Sequence, residues 1–247
     1  GASLTYYDTR ASKRDEVYND HRQREGKPLD GIWGYKSAGI FQSQEEIDAW
    51  VPQNLGSKVR PGDIKYKDIN NDGAITEDDQ VPMGYPTSPE INYGVGLTIA
   101  YKGFDISAFA QGQDRVSFYI NTSGISPFVG HRNAMKIIAD DHWSPDNPVS
   151  NTFWPRLSTG SATNNMVSNS TWWLRNSSFL RLKSVELGYS ISPKILKKTP
   201  IKQFRVYVQG SNLFVVSGFK LWDPEMGSNG LGYPLQRVYS LGVQITF

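Results

Sequence analysis

From Glu90 to Tyr101 the chain alternates. Ile91, Tyr93, Val95, Leu97, Ile99 and Tyr101 share one parity, and Asn92, Gly94, Gly96, Thr98 and Ala100 share the other. A period of two puts successive side chains on opposite faces of a strand, so this stretch predicts a strand with one apolar face. Lys102-Gly103 follows as a two-residue turn, because Gly accepts the positive φ that tight hairpins need. Phe104, Ile106, Ala108 and Ala110 carry the apolar face back over 104–112, opposite Asp105, Ser107, Phe109 and Gln111. In 178–192 the phase slips, from Leu180 and Leu182 to Val185, Leu187, Tyr189 and Ile191. One extra residue near Lys183-Ser184 accounts for the slip and predicts a β-bulge. In 202–216, Phe204, Val206 and Val208 alternate with Arg205, Tyr207 and Gln209. In 237–247 Tyr239, Leu241, Val243, Ile245 and Phe247 alternate with small or polar residues, and the chain stops on an aromatic. A weaker strand is expected over 2–12. The pattern therefore predicts an all-β chain of about six strands.

The connectors between these strands run long, short, long, short, long: 13–88, 102–103, 114–177, 193–201 and 217–236. A β-sandwich has no reason to sort its loops in this way. Transmembrane β-barrels of the outer-membrane type do, with long loops outside and short turns on the periplasmic side. The expected architecture is a transmembrane antiparallel β-barrel segment with long extracellular loops and its last strand ending in the periplasm. Such barrels have about eight strands at minimum, and an open edge in lipid costs several kcal/mol per unsatisfied backbone group. Six strands are too few, so the chain reads as part of a larger barrel. Within the first long loop, Ser43 and Glu46 are spaced as a capping box, which predicts a short helix to about Trp50. A second helical stretch is expected between Arg132 and His142.

Composition narrows this less. The chain has 247 residues, 38% of them hydrophobic and 13% aromatic. Few aliphatics with many Tyr and Trp suit a barrel with aromatic girdles, and suit a secreted sugar-binding sandwich equally. A net charge of +2 implies no nucleic acid or other polyanion as partner. The absence of cysteine excludes disulfides and cysteine-ligated metals. No Ser-His-Asp arrangement or phosphate loop is present, and the chain reads as a non-enzyme. His131, His142, Asp140 and Asp141 lack metal-ligand spacing and read as solvated charges. Arg156 and Glu225 read as members of loop-packing ion pairs. Trp33, Trp50, Trp143, Trp154, Trp172, Trp173 and Trp222 fall mostly in the loops. Such residues stack on sugar rings in some proteins and more often pack loops or form an interfacial belt.

One stretch carries metal chemistry. Asp68-Ile69-Asn70-Asn71-Asp72-Gly73-Ala74-Ile75-Thr76-Glu77-Asp78-Asp79 places oxygen side chains at positions one, three, five and twelve of a calcium-type loop. Gly73 stands at position six, where the chain turns sharply, and Ile75 can pack beneath. Calcium takes six to eight hard oxygens in flexible geometry, which alternate residues of one tight loop can supply. The metal ligands expected are Asp68, Asn70, Asp72, the Ala74 carbonyl and Asp79, with Thr76 direct or through water. The competing reading is an Asx-rich turn without metal. Without paired flanking helices, the loop reads as a structural clamp.

Several stretches together resemble SusC/RagA-type TonB-dependent outer-membrane transporters. They are Pro61-Gly62-Asp63-Ile64-Lys65-Tyr66-Lys67 running into the calcium-type loop, 101–109, 179–189, Asp223-Pro224-Glu225, and Tyr233-Pro234 before the last strand. The resemblance covers essentially 1–247 and implies the last six strands of a 22-stranded barrel, the C-terminal part of a family member. It implies outer-membrane import of oligosaccharides or peptides in a Gram-negative bacterium. The implied partners are a SusD-like surface lipoprotein, TonB, and the remaining barrel and plug. Val95, Leu97, Val243 and Ile245 would face lipid, and Asn92, Thr98, Gln209 and Gln244 a wet lumen. Two rivals are a secreted calcium-stabilised β-sandwich that binds or cleaves glycan, and a calcium-dependent adhesin.

Overall fold

The computed structural model describes residues 6–7, 19–24, 26–129, 132–149, 151–158, 164–167 and 169–247. The early strands are short: β1 (Tyr6–Tyr7), β2 (Lys27–Pro28), β3 (Ile32–Gly34), β4 (Ser37–Ile40), β5 (Ile64–Tyr66) and β6 (Val81–Met83). Then come β7 (Ile91–Tyr101), β8 (Phe104–Asp114), β9 (Ser117–Tyr119), β10 (Leu174–Asn176), β11 (Phe179–Ser190), β12 (Gln203–Ser217) and β13 (Val238–Thr246). Among the described residues four short α-helices lie between strands: α1 (Gln44–Asp48), α2 (Thr122–Ile125), α3 (Lys136–Asp140) and α4 (Pro193–Leu196).

The five long strands form one antiparallel sheet in the order β13-β12-β11-β8-β7. The alternation in sequence becomes alternation of faces. Ile99, Ile106, Leu187, Val208 and Leu241 stand in one row across all five strands, and Tyr101, Phe104, Tyr189, Val206 and Val243 in the next. Val95, Leu97 and Ile245 lie on the same apolar face. These side chains are exposed, up to 78% for Leu241. The other face carries Thr98, Ser107, Glu186, Gln209 and Ser240 in one row, with Asn92 and Gln244 in rows above and below.

Lys102 and Gly103 make the β7–β8 turn with φ of 48° and 88°, the left-handed region that the two-residue hairpin requires. A Cβ on Gly103 would also lie 2.7 Å from the Ser190 carbonyl oxygen, so the turn is closed to larger residues twice over. The pairing of β11 shifts register between Leu182 and Ser184 against both neighbours, which places the bulge at Lys183. Asn212 answers it on β12 with φ of 54°.

The strand expected over 2–12 lies outside the described residues except for Tyr6–Tyr7. Those two pair with Lys27–Pro28 and join no larger sheet. Among the described residues the main sheet has five strands, and β7 and β13 are its edges.

All three long connectors leave the same end of the sheet, and both short turns sit at the other. The long connectors are not structureless. They fold on one another into a cap with its own core, built from Tyr35, Ile64, Tyr66 and Ile75 of the first, Phe118, Ile120, Ile125, Ile138, Trp154 and Trp173 of the second, and Phe219 of the third. Each connector is polar in sequence, and the apolar residues reach partners far along the chain.

Candidate functional site: the loop cap and the polar face of the wall

The cap is pinned by a buried polar hub. Asp63 is 0% exposed. One carboxylate oxygen pairs with Arg156 Nε at 2.6 Å and accepts from the Asn165 amide at 2.7 Å. The other accepts from the Arg60 N–H at 2.9 Å. Asn165 turns its own oxygen to the Ile64 N–H at 2.9 Å, and its carbonyl accepts from the Trp173 indole at 2.9 Å. Gln53 bridges the Ile64 carbonyl and the Tyr66 N–H, and the Tyr66 hydroxyl donates to the Asn164 carbonyl at 3.0 Å. Burial pushes the Tyr66 phenol well above its ordinary pKa, so it stays a donor. The Asp63 carboxylate and the Asn165 and Gln53 amides of this hub are all partnered, which favours one packing of the three segments they join.

α1 is fastened to the same hairpin. Its Ser43 cap accepts from the Glu46 N–H. The Glu46 carboxylate accepts from the Gln42 N–H at 2.7 Å and pairs with Lys65. Desolvation opposes its ionisation, but the Gln42 and Lys65 contacts outweigh it and hold the carboxyl below its usual range. Lys65 Nζ in turn lies 4.8 Å above the Trp50 ring.

The third connector is tied over the polar face of the wall. Arg181, whose side chain is 3% exposed, holds Asp223 at 2.5 Å and Glu225 at 2.5 Å. Lys183, at the bulge, reaches Glu225 at 3.1 Å. The Ser177 hydroxyl donates to the Pro224 carbonyl at 2.8 Å. At the turn end of the same face, Arg205 pairs with Glu186 at 2.6 Å and with Asp105. The polar face thus has an ion-pair cluster at each end and hydroxyl and amide groups between.

The calcium-type loop is formed locally. Asp68 accepts from the Asn71 N–H at 2.7 Å and the Gly73 N–H at 3.0 Å. Asn70 and Asp72 accept from the Asp72 and Ala74 N–H groups. Gly73 has φ of 88°, as position six requires. Asp79 is fully buried beneath, and its two oxygens accept from the Ile69 and Thr76 N–H groups. Ile75 is buried below the turn. Asp68, Asn70 and Asp72 are therefore gathered around one exposed turn, and Asp79 closes it from inside. A carboxylate oxygen that accepts one N–H keeps a second lone pair for a hard cation, so this donor set fits calcium chemically. No group of three or more His, Cys, Asp or Glu side chains stands in a metal-holding arrangement among the described residues.

The remaining sequence candidates separate cleanly. His131 lies outside the described residues. His142 Nδ1 sits 3.1 Å and 3.0 Å from the Ile138 and Ala139 carbonyls, Asp140 pairs with Lys136, and Asp141 accepts from the Phe153 N–H. These contacts finish a helix end. Arg156 and Glu225 are in loop-packing ion pairs, as the sequence suggests. Trp173, Trp154 and Trp143 are buried in the cap, and the indoles of Trp173 and Trp143 donate within it.

No family model matches the sequence. TonB-dependent receptor P26 of Formosa agariphila is 33% identical over 236 residues, covering 90% of this chain and 23% of that protein. TonB-dependent receptor SusC of Bacteroides thetaiotaomicron is 26% identical over 219 residues, covering 87% of this chain and 20% of that protein. The chain matches a barrel segment of the SusC/RagA-type TonB-dependent transporters. The fold agrees: the RagAB peptide importer in its open-open state superposes with a TM-score of 0.64 at 22% identity, over 88% of this chain and 22% of that one. The chain thus spans about a quarter of the length of these transporters. Arg181 ties the third loop to the polar face of the wall through Asp223 and Glu225. Sequence reading missed Asp63, Asn165 and Arg181 as organisers. The common parity of Asp105, Glu186 and Arg205 on neighbouring strands was the available signal for the lower cluster.

Proposed function

We propose that this chain forms barrel wall and outer rim of a TonB-dependent nutrient importer in the outer membrane of a Gram-negative bacterium. The observation that carries this is the one-sided wall: a five-strand apolar face, a polar opposite face, and all long loops folded together at one end. In this reading the apolar rows lie in lipid, the capped end is extracellular and the turn end periplasmic. The rest of the barrel pairs with β7 and β13, and a plug fills the lumen. The cap meets a SusD-like surface lipoprotein, and TonB energises transport. The imported substrates are oligosaccharides or peptides, the latter being what RagAB is described as importing.

The calcium-type loop serves the cap as a clamp. Asp68, Asn70, Asp72, the Ala74 carbonyl and Asp79 would hold calcium, which would offset the repulsion between carboxylates in one tight turn. The test of transport is uptake of labelled oligosaccharide and peptide pools by cells carrying the intact transporter. Uptake lost on deletion of the transporter, and lost again when the proton-motive force is dissipated, is the expected result. Uptake that survives both treatments would overturn the proposal.

A further inference from the structure

The turn end of the wall carries a charge pattern that the transport reading does not use. The β11–β12 connector contains Lys194, Lys197, Lys198 and Lys202, and no acidic residue occurs between Glu186 and Asp223. Lys102 joins them from the neighbouring turn. All five are exposed. None of them has an ion-pair partner among the described residues, whereas the nearby Asp105 and Glu186 are taken by Arg205 on the polar face. The turn end therefore presents five exposed ammonium groups with no ion-pair partner among the described residues.

The rim borders the apolar face. Tyr101, Phe104 and Tyr189 form the last aromatic row of that face, with the Phe104 and Tyr189 rings 4.6 Å apart. Lys102 Nζ lies 5.1 Å from the Tyr101 ring, so its stem runs along the outward side and its charge sits at the aromatic edge. Beside it a cleft of about 570 Å³ opens between Lys102 and Lys202, floored by Tyr189 and edged by Ser190 and Ser192. The Ser192 hydroxyl caps no helix amide. Ile195 projects from α4 among the lysines and is 69% exposed. Aromatic rings, an apolar side chain and unpaired ammonium groups meet in one band. That is the chemistry of the boundary between acyl chains and phosphate headgroups.

We propose that this turn end is a docking surface for anionic phospholipid headgroups, centred on the cleft between Lys102 and Lys202. It rests on the wall lying in a bilayer. A phosphodiester fits the cleft with its oxygens toward the two ammonium groups and serine hydroxyls, and its acyl chains run back over Tyr189 and Phe104. Lys194, Lys197 and Lys198 supply the surrounding field. Such lysines each favour an anionic surface, and the effect decays over a Debye length, so binding weakens with salt.

The test uses the intact transporter that carries this segment, reconstituted in nanodiscs of phosphatidylethanolamine with and without phosphatidylglycerol. Co-purified lipid is read by native mass spectrometry. The expected result is preferential retention of phosphatidylglycerol that falls with added salt. In the variant Lys194→Ala/Lys197→Ala/Lys198→Ala/Lys202→Ala this preference falls by at least about tenfold. Lys36→Ala/Lys58→Ala/Lys67→Ala, at the opposite end, keeps it. Equal preference in wild type and the four-lysine variant would overturn the proposal. So would a salt-independent preference in the wild type, a measurement that needs no variant to fold. Full competition by inorganic phosphate would also overturn it, since the site would then be for a free anion. A protein that stays monodisperse without detergent and takes up no lipid overturns the barrel reading itself. A barrel that reconstitutes and holds both lipids equally overturns only the headgroup site.

Discussion

Replacing Asp63 with Ala isolates the hub of the loop cap. The carboxylate pairs with Arg156 at 2.6 Å, and accepts from Asn165 at 2.7 Å and from the Arg60 N–H at 2.9 Å. Breaking a buried ion pair by removing one partner costs about 3–5 kcal/mol. The Arg156 side chain is 17% exposed and regains some water, which favours the lower end of that range. The two neutral donors left behind add about 1 kcal/mol each. The cap is therefore expected to lose about 5 kcal/mol, against about 5–15 kcal/mol for a whole domain. Local opening follows, read by hydrogen exchange on the reconstituted transporter. The Ile64 and Tyr66 amides, held by Asn165 and Gln53, should exchange about a thousandfold faster or more, since each 1.4 kcal/mol is about tenfold. Amides of β7 and β8, which do not touch the hub, should keep their protection. Asp63→Asn keeps the shape without the charge and should give a smaller acceleration. Unchanged exchange at Ile64 and Tyr66, or acceleration spread equally through β7 and β8, would refute the hub.

Other expectations rest on separate contacts. Arg181→Ala leaves Asp223 and Glu225 without their shared cation and should destabilise the third loop by about 3–5 kcal/mol, seen as protease cleavage within 218–237 while the wall stays intact. Glu46 has a lowered carboxyl pKa when folded, so its contribution is present above the unfolded value near about 4.3 and is lost as pH falls through the folded one. Exchange of the α1 amides should therefore accelerate in acid, and Glu46→Gln should accelerate it at neutral pH and flatten that dependence. Asp72→Ala should lower thermal stability in calcium and remove the response to chelator; a chelator response equal to wild type would count against calcium.

The wall was largely legible in sequence because each of its strands follows a local rule. Period-two alternation gave the faces, Lys102-Gly103 gave the turn, and the slip after Leu182 gave the bulge at Lys183. The Ser43 cap was legible for the same reason, since its acceptor lies three residues away. The cap was not legible as a folded unit. Its hub joins Asp63 to Arg156 and Asn165, about a hundred residues apart, and no local period marks such a pair. The tryptophans illustrate the ambiguity: Trp154 and Trp173 fit a sugar platform by composition, and only tertiary packing shows their rings 4.9 Å apart inside the cap. The calcium-type loop sat between these cases. Its spacing was visible, but the burial of Asp79 and its use on backbone amides came from the fold.

The central claim is that alternate residues of this wall face lipid and water. The segment itself contains no cysteine, so single cysteines can be introduced one at a time along 92–100, in a transporter whose other cysteines, where present, are replaced, and spin-labelled after reconstitution. Accessibility to oxygen, which partitions into lipid, is compared with accessibility to a water-soluble nickel complex. The expected result is a strict period of two: Val95, Leu97 and Ile99 favour oxygen, while Gly94, Gly96 and Thr98 favour nickel. Equal nickel accessibility at both parities would contradict it.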